Sequence, residues 1–141
     1  MRRPLLVLAS LASFAAAACG SDGPTGTGSI EGTYTLRSVN GGTLPATLSQ
    51  VGDDQLQIVS DRYEILEGGA YTNLAIFRVI EGGTPTDESL ADAGDWELSG
   101  TTLTFFSDDG ETVYEAQFSG GNTLTMSGFV GTTSFTLIYR K

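Results

Sequence analysis

From about residue 30 onward, apolar and polar positions alternate in short runs separated by glycine, a period of two that predicts β-strands. GTYTLRSV (32–39) puts Tyr34 and Leu36 on one face and ends at Asn40-Gly41, a hairpin signal. QLQIVS (55–60) pairs Leu56 with Ile58, and RYEIL (62–66) pairs Tyr63 with Ile65 ahead of Gly68-Gly69. YTNLAIFRVI (71–80) is apolar on both faces in its second half, reads as the longest strand, and stops at Gly82-Gly83. Five further strands follow at roughly ten-residue spacing: DWELSG, TTLTFFSDDG, ETVYEAQFSGG, NTLTMSG and TSFTLIYRK. In these, Trp96 sides with Leu98, Leu103 with Phe105, Tyr114 with Ala116 and Phe118, Leu124 with Met126, and Phe135 with Leu137 and Tyr139. The echo between SGTTLT and SGGNTLT marks two similar hairpin arms, not a repeat array, because no period holds along the whole chain.

Helical periodicity is almost absent, so the fold class is all-β. One connection looks long, EGGTPTDESLADAG (81–94), in which ESLADA has the makings of a helical turn with Thr86 as its cap. Tight turns elsewhere make sequential strands antiparallel neighbours in an up-and-down meander. Such a ribbon of about 8–9 strands leaves two open edges unless it closes. The last strand has neither proline nor internal glycine to blunt an edge, so GTYTL is expected to pair with FTLIYRK in a barrel. A β-sandwich built from the same strands is the alternative.

Gly32-Thr33-Tyr34 at the start of the first strand and Arg140 in the last resemble the opening and closing of lipocalin-like (calycin) domains. There a Gly-x-Trp begins the barrel, and a basic residue of the final strand packs on the Trp to close the base. GTYTLRSVNGGTLP and GDWELSGTTLTFFSDDG are likewise similar to the opening and middle of small bacterial members. The resemblance spans 30–141 and implies barrel closure through Gly32, Tyr34 and Arg140. This chain departs from the pattern in that Tyr34 stands where the Trp would be, while its one Gly-x-Trp, Gly94-Asp95-Trp96, lies mid-chain.

The first 29 residues have a different character. Arg2 and Arg3 precede a 14-residue apolar stretch, Leu5 to Ala18, and small residues lead up to Cys19. A membrane-spanning helix takes about 20 apolar residues, so this stretch reads as an export signal. Ala16, Ala17 and Ala18 before Cys19 resemble the lipobox of bacterial lipoproteins, although the first lipobox position usually holds Leu. The resemblance implies cleavage before Cys19 and acylation of Cys19, which then anchors the protein to the membrane. A plain signal peptide with an incidental cysteine is the alternative, but a lone thiol in an oxidising compartment has no intrachain partner. Gly20 follows the cysteine in place of the Asp that retains lipoproteins at the inner membrane, so the implied destination is the outer membrane, with the domain facing the periplasm. The expected organisation is therefore signal peptide 1–18, lipidated Cys19 with a flexible spacer through 29 (GSDGPTGTGS), and one β-domain, 30–141.

Composition narrows the chemistry. Loss of residues 1–18 leaves 17 acidic and 5 basic residues, a net charge near −12 that repels nucleic acid. The chain has no histidine, one cysteine and one lysine, Lys141 at its end, so no activated nucleophile is assembled in the usual ways and no enzyme is expected. Asp108, Asp109, Glu111 and Glu115 lack calcium-loop spacing, and Asp109-Gly110 reads first as a turn. Asp87, Glu88, Asp92 and Asp95 read as solvated loop charges. Glu97 and Glu115 alternate outward from Trp96 and Tyr114, unlike carboxylates facing each other across a cleft. No cofactor or metal is expected.

What remains is an aromatic set facing inward: Tyr63, Phe77, Trp96, Phe105, Tyr114 and Phe118 are the candidate pocket residues. An eight-stranded barrel is just wide enough to be filled by such side chains or to hold one small ligand. Two functions follow as expectations: a tethered binding module for a small apolar ligand, or a filled-core module that contacts an envelope protein partner through its outer face near Leu74 to Ile80.

Overall fold

The computed structural model describes residues 29–141; the signal, Cys19 and nearly all of the spacer lie outside this range. Nine strands follow in order: β1 (Gly32–Val39), β2 (Ala46–Val51), β3 (Asp54–Ile65), β4 (Ala70–Glu81), β5 (Thr84–Ser99), β6 (Thr102–Ser107), β7 (Val113–Ser119), β8 (Thr123–Val130) and β9 (Thr133–Arg140). Consecutive strands from β3 to β9 pair antiparallel, β9 pairs with β1, and β1 pairs with β3, which closes an eight-stranded up-and-down barrel. β2 is the extra strand; it lies along the first half of β3, and β1 lies along the second half. The first and last strands meet in one sheet through Thr35–Arg140 and Leu36–Tyr139, as the barrel reading expects and a sandwich does not.

Three sequence expectations change. The connection 81–94 is no loop and carries no helical turn: Gly82 and Gly83 make a two-residue hairpin, and Thr84 onward is the 16-residue β5. Both glycines have positive φ (56° and 82°), the backbone that a two-residue hairpin of primed type needs. The segment looks unlike a strand because Pro85, Asp87 and Glu88 are poor strand formers. They are tolerated because this half of β5 pairs on one side only, and Asp87 is held to Arg78 across the ladder by two hydrogen bonds of 2.7 and 2.9 Å. Second, 55–60 and 62–66 are one strand, β3, with a bulge between Ile58 and Ser60. Third, Ala46–Val51 forms β2, in a stretch where no alternation stands out.

Barrel closure uses Lys141, not Arg140. Tyr139 is buried inside, so alternation turns Arg140 out to solvent and brings Lys141 back under the barrel. Its ammonium sits 5.9 Å from the centre of the Tyr34 ring and donates to the Ser29 carbonyl at 2.7 Å. Tyr34 is fully buried, donates its hydroxyl to the Ile30 carbonyl, and has its ionisation pushed up to about 12 by burial. Gly32 leaves the room the lysine stem occupies, since a Cβ there would lie 2.4 Å from Lys141 Cε. The cation that covers the base is thus one residue later than the resemblance implies.

The core fills this end of the barrel. Tyr34, Ile65, Leu103, Phe105, Ala116, Phe118, Leu124 and Tyr139 are buried, all on the inward parity of their strands. Trp96 is half-buried here and donates its indole N–H to the Leu66 carbonyl at 3.1 Å. The opposite end, where β5 runs past β6, is not filled.

Candidate functional site

The wall is incomplete at that open end. β5 pairs with β6 only as far as Gly94–Ser107, although β5 continues back to Thr84. β7 and β8 part after Ala116–Met126, although β8 runs on to Val130. The resulting notch is bordered by Leu90, Tyr114 and Phe129, which are 60%, 36% and 70% exposed. Apolar side chains grouped at the rim of a concave site are a common feature of ligand-binding grooves.

Inside the notch is a cavity of about 220 Å³, whose walls include Tyr63, Phe77, Tyr114, Met126, Phe135 and Leu137. Of the six aromatic residues singled out from the sequence, Tyr63, Phe77 and Tyr114 line it. Phe105 and Phe118 lie in the packed end and Trp96 at its edge, so these three do not reach the cavity. Phe105 supports the floor from beneath, with ring centroids 4.9 Å from Tyr63 and 4.8 Å from Tyr71. A larger, more open groove of about 700 Å³ lies beyond Leu90 and Tyr114, and Asp92, Asp108 and Asp109 help to line it. The smaller, less open cavity is the better candidate, because a ligand gains most where more of its apolar surface leaves water.

The cavity has one charged residue in its lining, Asp61. The β3 bulge puts it there. Ile58 faces inward, and simple alternation would bring Ser60 in next; the extra residue passes that place to Asp61, followed by Tyr63 and Ile65. Asp61 is 7% exposed. Its carboxylate accepts from the Tyr139 hydroxyl at 2.7 Å and the Asn73 amide at 2.5 Å, with the Arg62 backbone N–H as a third donor. Burial nevertheless pushes its ionisation above the usual carboxylate range, against these three hydrogen bonds. A second inward carboxylate, Asp92 of β5, accepts from Tyr71 at 2.7 Å and Ser107 at 2.5 Å.

Sequence reasoning missed Asp61, Asn73 and Ser107, and put Asp92 on a loop. The available signal was parity: Asp61 is in step with Tyr63 and Ile65, and Asp92 with Gly94 and Trp96. The acidic residues read as loop charges do not gather. Asp87 faces outward to Arg78, Asp92 faces inward, and among the described residues no three carboxylate, thiol or imidazole side chains could share a metal ion. Asp109 is occupied as a turn cap, accepting from the backbone N–H groups of Glu111 and Thr112, each at 2.8 Å. Glu97 and Glu115 are exposed on the outer wall.

The chain matches no family model and no curated protein.

A buried carboxylate with no cation beside it costs stability when ionised. Asp61→Asn keeps the shape and both side-chain hydrogen bonds, with the Tyr139 hydroxyl turning to accept from the new amide. The raised ionisation of the folded state means that the folded chain holds this proton to higher pH than the unfolded chain, whose ordinary value is 3.8. The folded state therefore loses stability as pH rises from near 3.8 through the elevated value, and the penalty is complete above it. Asp61→Asn is expected to be the more stable protein at pH 7, by on the order of 1 kcal/mol, with that advantage shrinking toward pH 3. Urea unfolding of both proteins across that range measures it, and equal stability at pH 7 would refute it.

Proposed function

We propose that this protein is a lipid-anchored envelope lipoprotein whose lipocalin-like barrel holds a small apolar ligand at its open end. The observation that carries the reading is the 220 Å³ cavity, walled mainly by apolar and aromatic side chains and reached through a notch with an exposed apolar rim. A cavity of about 150 Å³ is enough for benzene, so this one suits a single ring with a short substituent. Binding is its function; the lipobox-like sequence supplies the address.

The two halves of the proposal fit together in space. The chain enters the barrel at Ser29, beside Lys141 and Tyr34 at the filled end. The ten residues between Cys19 and Ile30 reach at most about 35 Å. A tether attached there joins the barrel at the end opposite the notch, so membrane attachment leaves the notch free for a solute arriving from the periplasm. The exposed, outward-facing Leu74 on β4 supports a second reading, in which the outer wall docks an envelope partner; cross-linking in intact envelopes addresses it.

Two measurements test the main reading. Native mass spectrometry of gently purified protein, with uptake of an environment-sensitive apolar dye, should detect one occupant per chain; neither mass increment nor dye uptake would count against a binding role. Cys19→Ser should move the protein from the membrane fraction to the soluble one and abolish labelling by a fatty-acid analogue, and an unchanged distribution would remove the anchor.

A further inference from the structure

The cavity's single charged residue narrows the ligand class. Asp61 presents a carboxylate to a space otherwise lined mainly by apolar and aromatic groups; it is nearly buried and has no ion-pair partner among the described residues. Among the described residues the recorded ion pair is Arg78–Asp87, on the outer wall and well separated along the strands. An ionised carboxylate offers about four acceptor positions. Tyr139, Asn73 and the Arg62 N–H use three, which leaves one for a donor arriving from the cavity. The second inward acid, Asp92, lies in the adjoining open groove, which Arg62 also lines, while the lining of the cavity itself carries no cation. Hydroxyl donors hold both carboxylates in fixed positions, so the negative charge is preorganised before any ligand arrives. The walls suit the same kind of guest: Tyr63, Phe77, Tyr114 and Phe135 surround the space with aromatic rings, which attract ammonium groups as well as apolar rings.

The geometry points to a small organic ammonium, a primary amine carried on a single ring by a short chain, with its nitrogen donating to Asp61 and its ring against Tyr63, Phe77 and Phe135. This rests on the reading that the cavity takes a small ligand and adds the charge that ligand carries. Among the described residues no three carboxylate, thiol or imidazole side chains gather at this place.

The test uses the full chain, with 2-phenylethylamine and propylbenzene as probes of one shape that differ in an ammonium against a methyl group. Calorimetric titration at pH 7 should give an affinity about tenfold or more higher for the amine, the range expected of a buried charge-assisted hydrogen bond. Asp61→Asn, expected to fold at least as well as the parent, should lose that preference and bind propylbenzene equally well or better. Three results would overturn the assignment: propylbenzene binding with no amine binding, amine affinity equal to that of propylbenzene, or an amine affinity that Asp61→Asn leaves unchanged. Those outcomes leave the apolar-ligand reading standing. Binding of neither probe, with native mass spectrometry also finding no occupant, removes both.

Discussion

Gly94→Ala is expected to lower stability by on the order of 3 kcal/mol, a large share of the 5–15 kcal/mol typical of a domain. A Cβ at this position would sit 1.9 Å from the Phe106 carbonyl oxygen and about 3 Å from two more backbone atoms of β6 and the turn after it. The obstacle is backbone, so no side-chain rotation relieves it. Relief requires β5 and β6 to separate where they pair, Gly94 with Ser107. That separation strains the Asp108 N–H to Ala93 carbonyl bond of 2.8 Å and draws Ser107 from Asp92. The variant should therefore lose stability and widen the notch together. A control distinguishes this from a general intolerance of side chains at glycines. Gly82 has φ of 56° with open space around it, and Asn accepts that conformation, so Gly82→Asn should change stability by less than about 0.5 kcal/mol. Denaturant midpoints measure both, and equal losses would refute the close-approach account.

Phe105→Ala should cost about 4 kcal/mol, against less than about 1 kcal/mol for its neighbour Phe106→Ala. Phe105 is fully buried between Tyr63 and Tyr71, whereas Phe106 is 40% exposed on the outer wall. The loss combines the transfer of a ring, the void left behind and two aromatic contacts, each contact contributing about 0.5–1.5 kcal/mol. The functional consequence is distinct. Tyr63 forms part of the cavity floor and rests on Phe105, so removal of the Phe105 ring lets the floor drop. The variant should accept a two-ring apolar probe such as naphthalene better than the parent does. A saturating probe should restore part of its stability, because ligand that binds only the folded state raises it by mass action. Similar losses at 105 and 106 would refute the inward assignment, and unchanged probe selectivity would mean the floor is set elsewhere.

Much of this protein is legible in its sequence, and the reason is periodicity. Where a strand has one face in the core and one in water, as with Leu103 and Phe105 or Ala116 and Phe118, alternation names the buried face directly, and those residues are buried. Glycine pairs mark the turns because few other residues adopt their backbone. Closure follows from an edge argument, that an unblunted last strand needs a partner, and β1 supplies it. What misled the reading is equally physical. Thr84–Asp92 lacks strand composition because it pairs on one side and extends beyond the core, so nothing selects for apolar alternation there. Arg140 and Lys141 exchange roles because one residue of parity decides which reaches Tyr34.

By itself the sequence determined the class of fold, the faces of the strands with clear alternation, the lack of histidine, and the lipobox-like address on which the anchoring proposal rests. All of these depend on residue type and near neighbours. The tertiary structure alone decided where space remains and what faces it. A single-residue bulge in β3 turned Asp61 inward, and strands of unequal length left the notch between β5 and β8. The change of parity between Ile58 and Asp61 is visible in the sequence, but that it is a bulge within one strand, and how far each strand overhangs its neighbour, arise from pairing between segments far apart in the chain.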